Sequence, residues 1–127
     1  MSWRWAVAVL AVVAQTLALY WPDPVEAPDG LALPHADKVV HVGIFLLATW
    51  ALLRVLPAWG ALGLMAVQVV ASELVQGALL PHRSADVWDA VADLVGIALG
   101  WALWRWTQRR AIDEAVAVAR GVMEKRQ

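Results

Sequence analysis

The chain has no cysteine. That excludes disulfides, thiolate zinc sites and a cysteine nucleophile, and it leaves the redox compartment undecided. It has no excess of either charge: the formal net charge is −1 at pH 7. With no basic stripe and no reader motif, nothing points to nucleic acid. No HExxH zinc signature, no nucleophile elbow, no internal repeat and no low-complexity segment occurs. Phenylalanine and tyrosine appear once each. What is present instead is alanine, valine, leucine and nine tryptophans, in a chain of 127 residues that is 61% hydrophobic. A soluble fold of one domain would have little polar surface to cover that content. The composition implies an integral membrane protein.

Four apolar runs carry the reading. They are Trp5 to Trp21, Val39 to Leu56, Ala58 to Leu80 and Val87 to Trp106. Each has about the 17–25 residues that a bilayer core requires. Arg4 precedes the first run, as in a signal peptide. The length of the run, and Pro28 directly after Val25-Glu26-Ala27, favour an uncleaved helix. The expected fold is all-α: a four-transmembrane-helix bundle over residues 1–106, and a helical tail over 107–127. In that tail Ile112, Val116, Ala119 and Met123 recur at helical spacing among charges. It reads either as an amphipathic helix on the lipid headgroups or as a solvated extension. Short connections around Pro57 and from Pro81 to Ala85 make successive spans antiparallel neighbours. Arg4, Arg54, Arg105, Arg109 and Arg110 fall on one side of the bilayer, against Lys38 and Arg83 on the other. The first side is therefore cytoplasmic, with both termini and the tail on it. Asp23, Glu26, Asp29 and Asp37 in the first loop agree with an external face. Tryptophans near the span ends read as interfacial belts, whereas Trp50 and Trp101 lie deeper and read as packing residues. Gly96 and Gly100 form a GxxxG match, expected to serve packing within the chain.

Charged groups at the ends of these runs are the candidates for function, because a charge in hydrocarbon is costly and is usually paired or used. The third span runs outward and the fourth inward, so Glu73 and Asp93 should both lie about 10 Å below the external boundary. Gln76 and Asp89 should match at a shallower level. Asp86, Asp89 and Asp93 are spaced three and four apart and share a stripe. Gln68, Ser72 and Gln76 continue a polar strip on the third span. Asp37 and His41, one turn apart, enter the same zone, with Lys38 between them. All three histidines, His35, His41 and His82, are external or nearly so. The expectation is a polar cavity open to the outside, built from the second, third and fourth spans. Asp86, or Ser84, is expected to cap the fourth helix.

The stretches Asp37-Lys38-Val39-Val40-His41, Ser72-Glu73-Leu74-Val75-Gln76, Arg83-Ser84-Ala85-Asp86-Val87-Trp88-Asp89 and Asp93-Leu94-Val95-Gly96, with Gly100, resemble the VanZ-like family in order and spacing over roughly residues 35 to 100. The family more usually has Asn where this chain has Asp93. The resemblance implies a bacterial inner-membrane protein with four helices. The family takes its name from an accessory protein linked to resistance against the glycopeptide teicoplanin.

Several functions fit these residues. In one, a lipid or lipid-linked envelope component places its head in the cavity. Asp37, Lys38, Gln76, Arg83, Asp86, Asp89 and Asp93 would then line the binding site, and Lys38 and Arg83 would contact the phosphate of an anionic lipid or envelope precursor. In a second, the cavity is catalytic, with Glu73 as general acid/base and His41 sharing its proton. No cofactor is predicted; a divalent metal on His41, Glu73, Asp89 and Asp93 is the one left open. A small transporter is a third reading, weakened by the lack of acids and histidines in the inner half of the spans. In the plainest reading the charges neutralise one another and pin the helices together.

Overall fold

A computed structural model describes residues 2–21, 36–80 and 86–125. Arg83, His35, His82 and most of the loop between the first two helices lie outside the described residues. Among the described residues the chain is all-helical: α1 (Trp3–Tyr20), α2 (Ala36–Leu52), α3 (Ala58–Leu79) and α4 (Val87–Glu124). Three of them, α1, α3 and α4, are long and apolar enough to cross a membrane. Apolar side chains surround α1, α2, α3 and the part of α4 before Trp106 instead of forming one stripe, the pattern of a helix in an apolar environment. Leu10, Leu47, Val67 and Leu74 all point outward and are more than half exposed. Water would not tolerate an apolar surface of that extent, so the outer faces suit hydrocarbon.

α2 ends earlier than the apolar run that encodes it. After Leu52 the backbone tightens: Arg54 N–H donates to the Ala51 carbonyl and Val55 N–H to the Leu52 carbonyl, each three residues back. Pro57 follows, and a proline disfavours helical geometry in the residue before it. Pro57 then opens α3 as its N-cap, where a missing N–H costs nothing.

The tail is not a separate element. α4 runs 38 residues without a break, through the change in composition at Trp106. Alanine, arginine, glutamate and methionine, all good helix formers, dominate the sequence beyond it. Beyond Thr107 every described residue is exposed, so no other helix packs on this part.

The most extensive helix contact joins α2 to α4, not two helices in succession. The two run parallel and meet once per turn. Lys38 meets Asp89, His41 meets Asp93, Phe45 meets Gly96 and Thr49 meets Gly100. The glycines make that approach possible. A Cβ on Gly96 would stand 2.5 Å from the Val42 carbonyl oxygen, and one on Gly100 2.6 Å from that of Leu46. Both are backbone atoms that cannot swing aside. The GxxxG pair therefore serves packing within the chain, the small-residue contact usual between membrane helices. Phe45, Ala48, Leu19, Ala61 and Met65 complete the buried core.

Candidate functional site

Because α2 and α4 run parallel with their N-termini at the same end, the polar groups of both first turns meet there. They form two tiers. In the upper tier the Lys38 ammonium gathers three carboxylates: Asp37 at 2.9 Å, and Asp86 and Asp89 at 2.5 Å each. Asp86 has a second task as the N-cap of α4. Its side chain accepts from the Trp88 N–H at 2.9 Å, satisfying one of the free donors of the first turn. Asp89 lies in that turn, where a negative charge also suits the helix dipole. Lys38 holds Asp37 and Asp86 below the usual carboxylate range by hydrogen bonding; for Asp86 the Trp88 N–H adds to this. Burial by itself would lower the Lys38 amine, but its bonds to Asp86, Asp89 and Asp37 outweigh that and hold it above its ordinary value.

One turn below lies the second tier, the buried pair His41 and Asp93. The His41 Nδ1 stands 2.8 Å from Asp93 Oδ1, and the side chains are 5% and 0% exposed. That bond fixes the ring and leaves Nε2 as its other proton-exchanging nitrogen. The second carboxylate oxygen of Asp93, Oδ2, is buried without a partner.

α3 contributes less than its sequence suggested. Glu73 reaches the upper tier: its Oε2 accepts from the Asp86 backbone N–H at 2.9 Å, and its Oε1 is buried without a partner among the described residues. Glu73 thus sits level with the residue that starts α4, not level with Asp93. The depth count assumed that α3 and α4 end in one plane, whereas α3 overhangs the start of α4. Gln76 does not join the acids. Its amide donates to the Leu19 carbonyl at 2.9 Å, one of the last carbonyls of α1 that have no donor within their own helix. Gln68 donates to the Tyr20 hydroxyl at 3.3 Å, and Ser72 to its own helix at Val69. Of the strip Gln68, Ser72, Gln76, the two glutamines therefore serve α1 and the serine serves α3 itself. Glu73 lies about 100° around the helix from Ser72, an offset that already separated the two roles.

Among the described residues, the space found at this end is a groove of about 470 Å³ lined by Lys38, Asp86, Trp88, Val91 and Ala92. The close glycine contact leaves no room for a cavity between α2 and α4. The groove instead has a charged mouth and an apolar wall. Trp88 and Val91 were missed from sequence as site residues. Their signal was their place on α4, each two residues past an acid of the stripe, Asp86 and Asp89. Among the described residues, no three His, Asp or Glu side chains converge as a metal site would require. Comparison with family models, with curated proteins and with solved structures finds no match for the chain.

Proposed function

We propose that the chain is a four-pass protein of the bacterial inner membrane, with the Lys38 end external and both termini cytoplasmic. α2 and the turn after it supply the fourth pass, and α4 carries the tail beyond the cytoplasmic face. Its function in this reading is to bind the head of a lipid or lipid-linked envelope component at the outer leaflet, in keeping with the resemblance to the VanZ-like family and its link to glycopeptide resistance.

The observation that carries the reading is the groove. A charged mouth at Lys38 and Asp86 adjoins a wall of Trp88, Val91 and Ala92, the shape an amphiphile needs if its head is polar and its tail stays in hydrocarbon. The polar layer also sets the chemistry of that head. Asp37, Glu73, Asp86, Asp89 and Asp93 outnumber Lys38, His41 and Arg83. Behind the groove lining, the oxygens of this layer that are buried without partners among the described residues, Glu73 Oε1 and Asp93 Oδ2, are acceptors. The complementary head offers N–H or O–H donors, as amines and sugars do. Lys38 is already engaged by three carboxylates, so it has little to give a phosphate.

The test is to identify by mass spectrometry the lipids that co-purify with the protein in mild detergent. The expected result is one donor-rich lipid class enriched over the bulk membrane, lost in Val91→Trp, which fills the groove, and reduced in Glu73→Gln. A profile equal to the bulk membrane in all three proteins would reduce the polar layer to a network that pins the helices, and the reading falls.

A second reading, catalysis on the same ligand, is favoured by the His41–Asp93 pair. A carboxylate that orients an imidazole is the arrangement of a general base. Accumulation of a lipid precursor in cells carrying His41→Gln, with lipid retention intact, is its expected signature.

A further inference from the structure

The opposite end of the bundle presents the reverse chemistry. There the start of α1, the end of α2 and the stretch of α4 around Trp104 enclose a cavity of about 230 Å³, lined by Arg4, Trp50, Arg54, Trp104, Thr107 and Gln108. Two of the lining residues, Trp50 and Trp104, have indole N–H groups that are buried and, among the described residues, without partners. An indole N–H can only donate, and a buried donor left without an acceptor is costly enough to be rare. The guanidinium groups add more donors. Arg54 lies over the Trp50 ring at 4.5 Å and the Trp3 ring at 4.8 Å. A guanidinium held over aromatic rings still has N–H groups to give to a bidentate contact. Among the described residues neither Arg4 nor Arg54 is paired with a carboxylate.

We propose that this cavity binds a phosphate-type oxyanion, held by the edge of Arg54, by Arg4 and by the two indole N–H groups. Such a ligand is all acceptor, and it answers a site whose unmet groups are all donors. The volume is below the roughly 300 Å³ at which sites for whole small molecules begin, so it holds a headgroup or a free anion and no larger metabolite. The site lies among the tryptophans at the helix ends, the level of lipid phosphates. Arg54 and Arg4 are the electrostatic anchors; Trp50 and Trp104 set the direction of approach. The inference does not depend on the groove at the other end, since the two sites share no residue.

The test uses the full chain in neutral detergent. Short-chain phosphatidylglycerol, short-chain phosphatidylcholine and inorganic phosphate are titrated separately and bound species counted by native mass spectrometry. Wild type is expected to hold one phosphatidylglycerol in preference to phosphatidylcholine. Arg54→Gln should weaken that binding roughly tenfold or more, as loss of a charge-assisted hydrogen bond does. Trp104→Phe, which keeps a ring and deletes the N–H, should weaken it several-fold. Competition by inorganic phosphate would identify a free anion as ligand; phosphatidylglycerol without competition would identify a lipid headgroup. Equal retention of the two lipids together with no binding of inorganic phosphate, or an unchanged affinity in Arg54→Gln, overturns the proposal. Should Arg54→Gln fail to fold, Trp104→Phe decides alone, and an unaltered affinity there is equally fatal.

Discussion

Lys38 organises the upper tier, because one ammonium answers three carboxylates that would otherwise repel one another across the start of α4. Its consequence is a dependence on pH that can be given a sign. Asp37 and Asp86 titrate below the usual carboxylate range in the folded protein. Their contribution to stability is present above about pH 4, the unfolded value, and is lost as pH falls through the lowered values. Lys38 titrates above its ordinary value. Its contribution is complete below about pH 10.4 and is lost as pH rises through the raised value. The thermal stability of the protein in detergent is therefore expected to be flat near neutrality and to decline on both sides. In Lys38→Met the acid limb should reverse, because protonating the abandoned acids then relieves their repulsion. Identical pH profiles for the two proteins would show that the cluster does not contribute to stability. Beneath Lys38, the His41–Asp93 contact is a different kind of bond: both partners are buried, and truncating either strands the other in a dry place.

At the scale of the helices, the contact between α2 and α4 and the continuity of α4 each make a measurable claim. Gly96→Ala and Gly100→Ala would drive a methyl into backbone carbonyls of α2. Overpacking of this kind costs about 1–3 kcal/mol, read as a loss of unfolding free energy in detergent. Gly63→Ala is the control. A Cβ there meets nothing within 4 Å, so that variant should be neutral or more stable. The unbroken α4 predicts a distance. Ala90 and Ala117 are 27 residues apart on one helix, which at 1.5 Å each is about 40 Å. The chain contains no cysteine, so cysteines placed at those two positions can be spin-labelled without interference. A narrow distribution near that length is expected from dipolar spectroscopy; a shorter, broad one would mean that the helix bends where it leaves the membrane.

For the molecule as a whole, the helices were legible because apolar runs bounded by Pro, Asp and Gly leave few alternatives. The meeting of Lys38, His41, Asp86, Asp89 and Asp93 was legible too, since three- and four-residue spacing places them on facing stripes. The use of Gly96 and Gly100 within the chain followed from the same pattern. Four features were not legible. The tail was divided from the fourth span because its composition changes at Trp106, but a helix propagates through any sequence of adequate propensity. The relative heights of α3 and α4 depend on the connection at 81–85 and on packing, neither of which a residue count supplies. The destination of Gln76 was hidden because it bonds to a backbone carbonyl of α1, and any helix C-terminus offers several of those. The arginine and tryptophan cavity escaped notice for a related reason. Its residues come from three separate helices, and each had a sufficient explanation as a belt or packing residue.

The parallel seam of α2 and α4 also works as a vernier. Four contacts repeat turn by turn along it, two between charged groups and two between glycine and backbone. A slip of one residue, about 1.5 Å, would take Lys38 off its acids and His41 off Asp93 together. It would also move each glycine hydrogen out of the notch that receives it. The alignment of Lys38 and His41 with the acids of α4 is thus keyed by two absent methyl groups further down the seam. Evolution of the site's chemistry can proceed on α2 and α4 so long as those two positions stay empty.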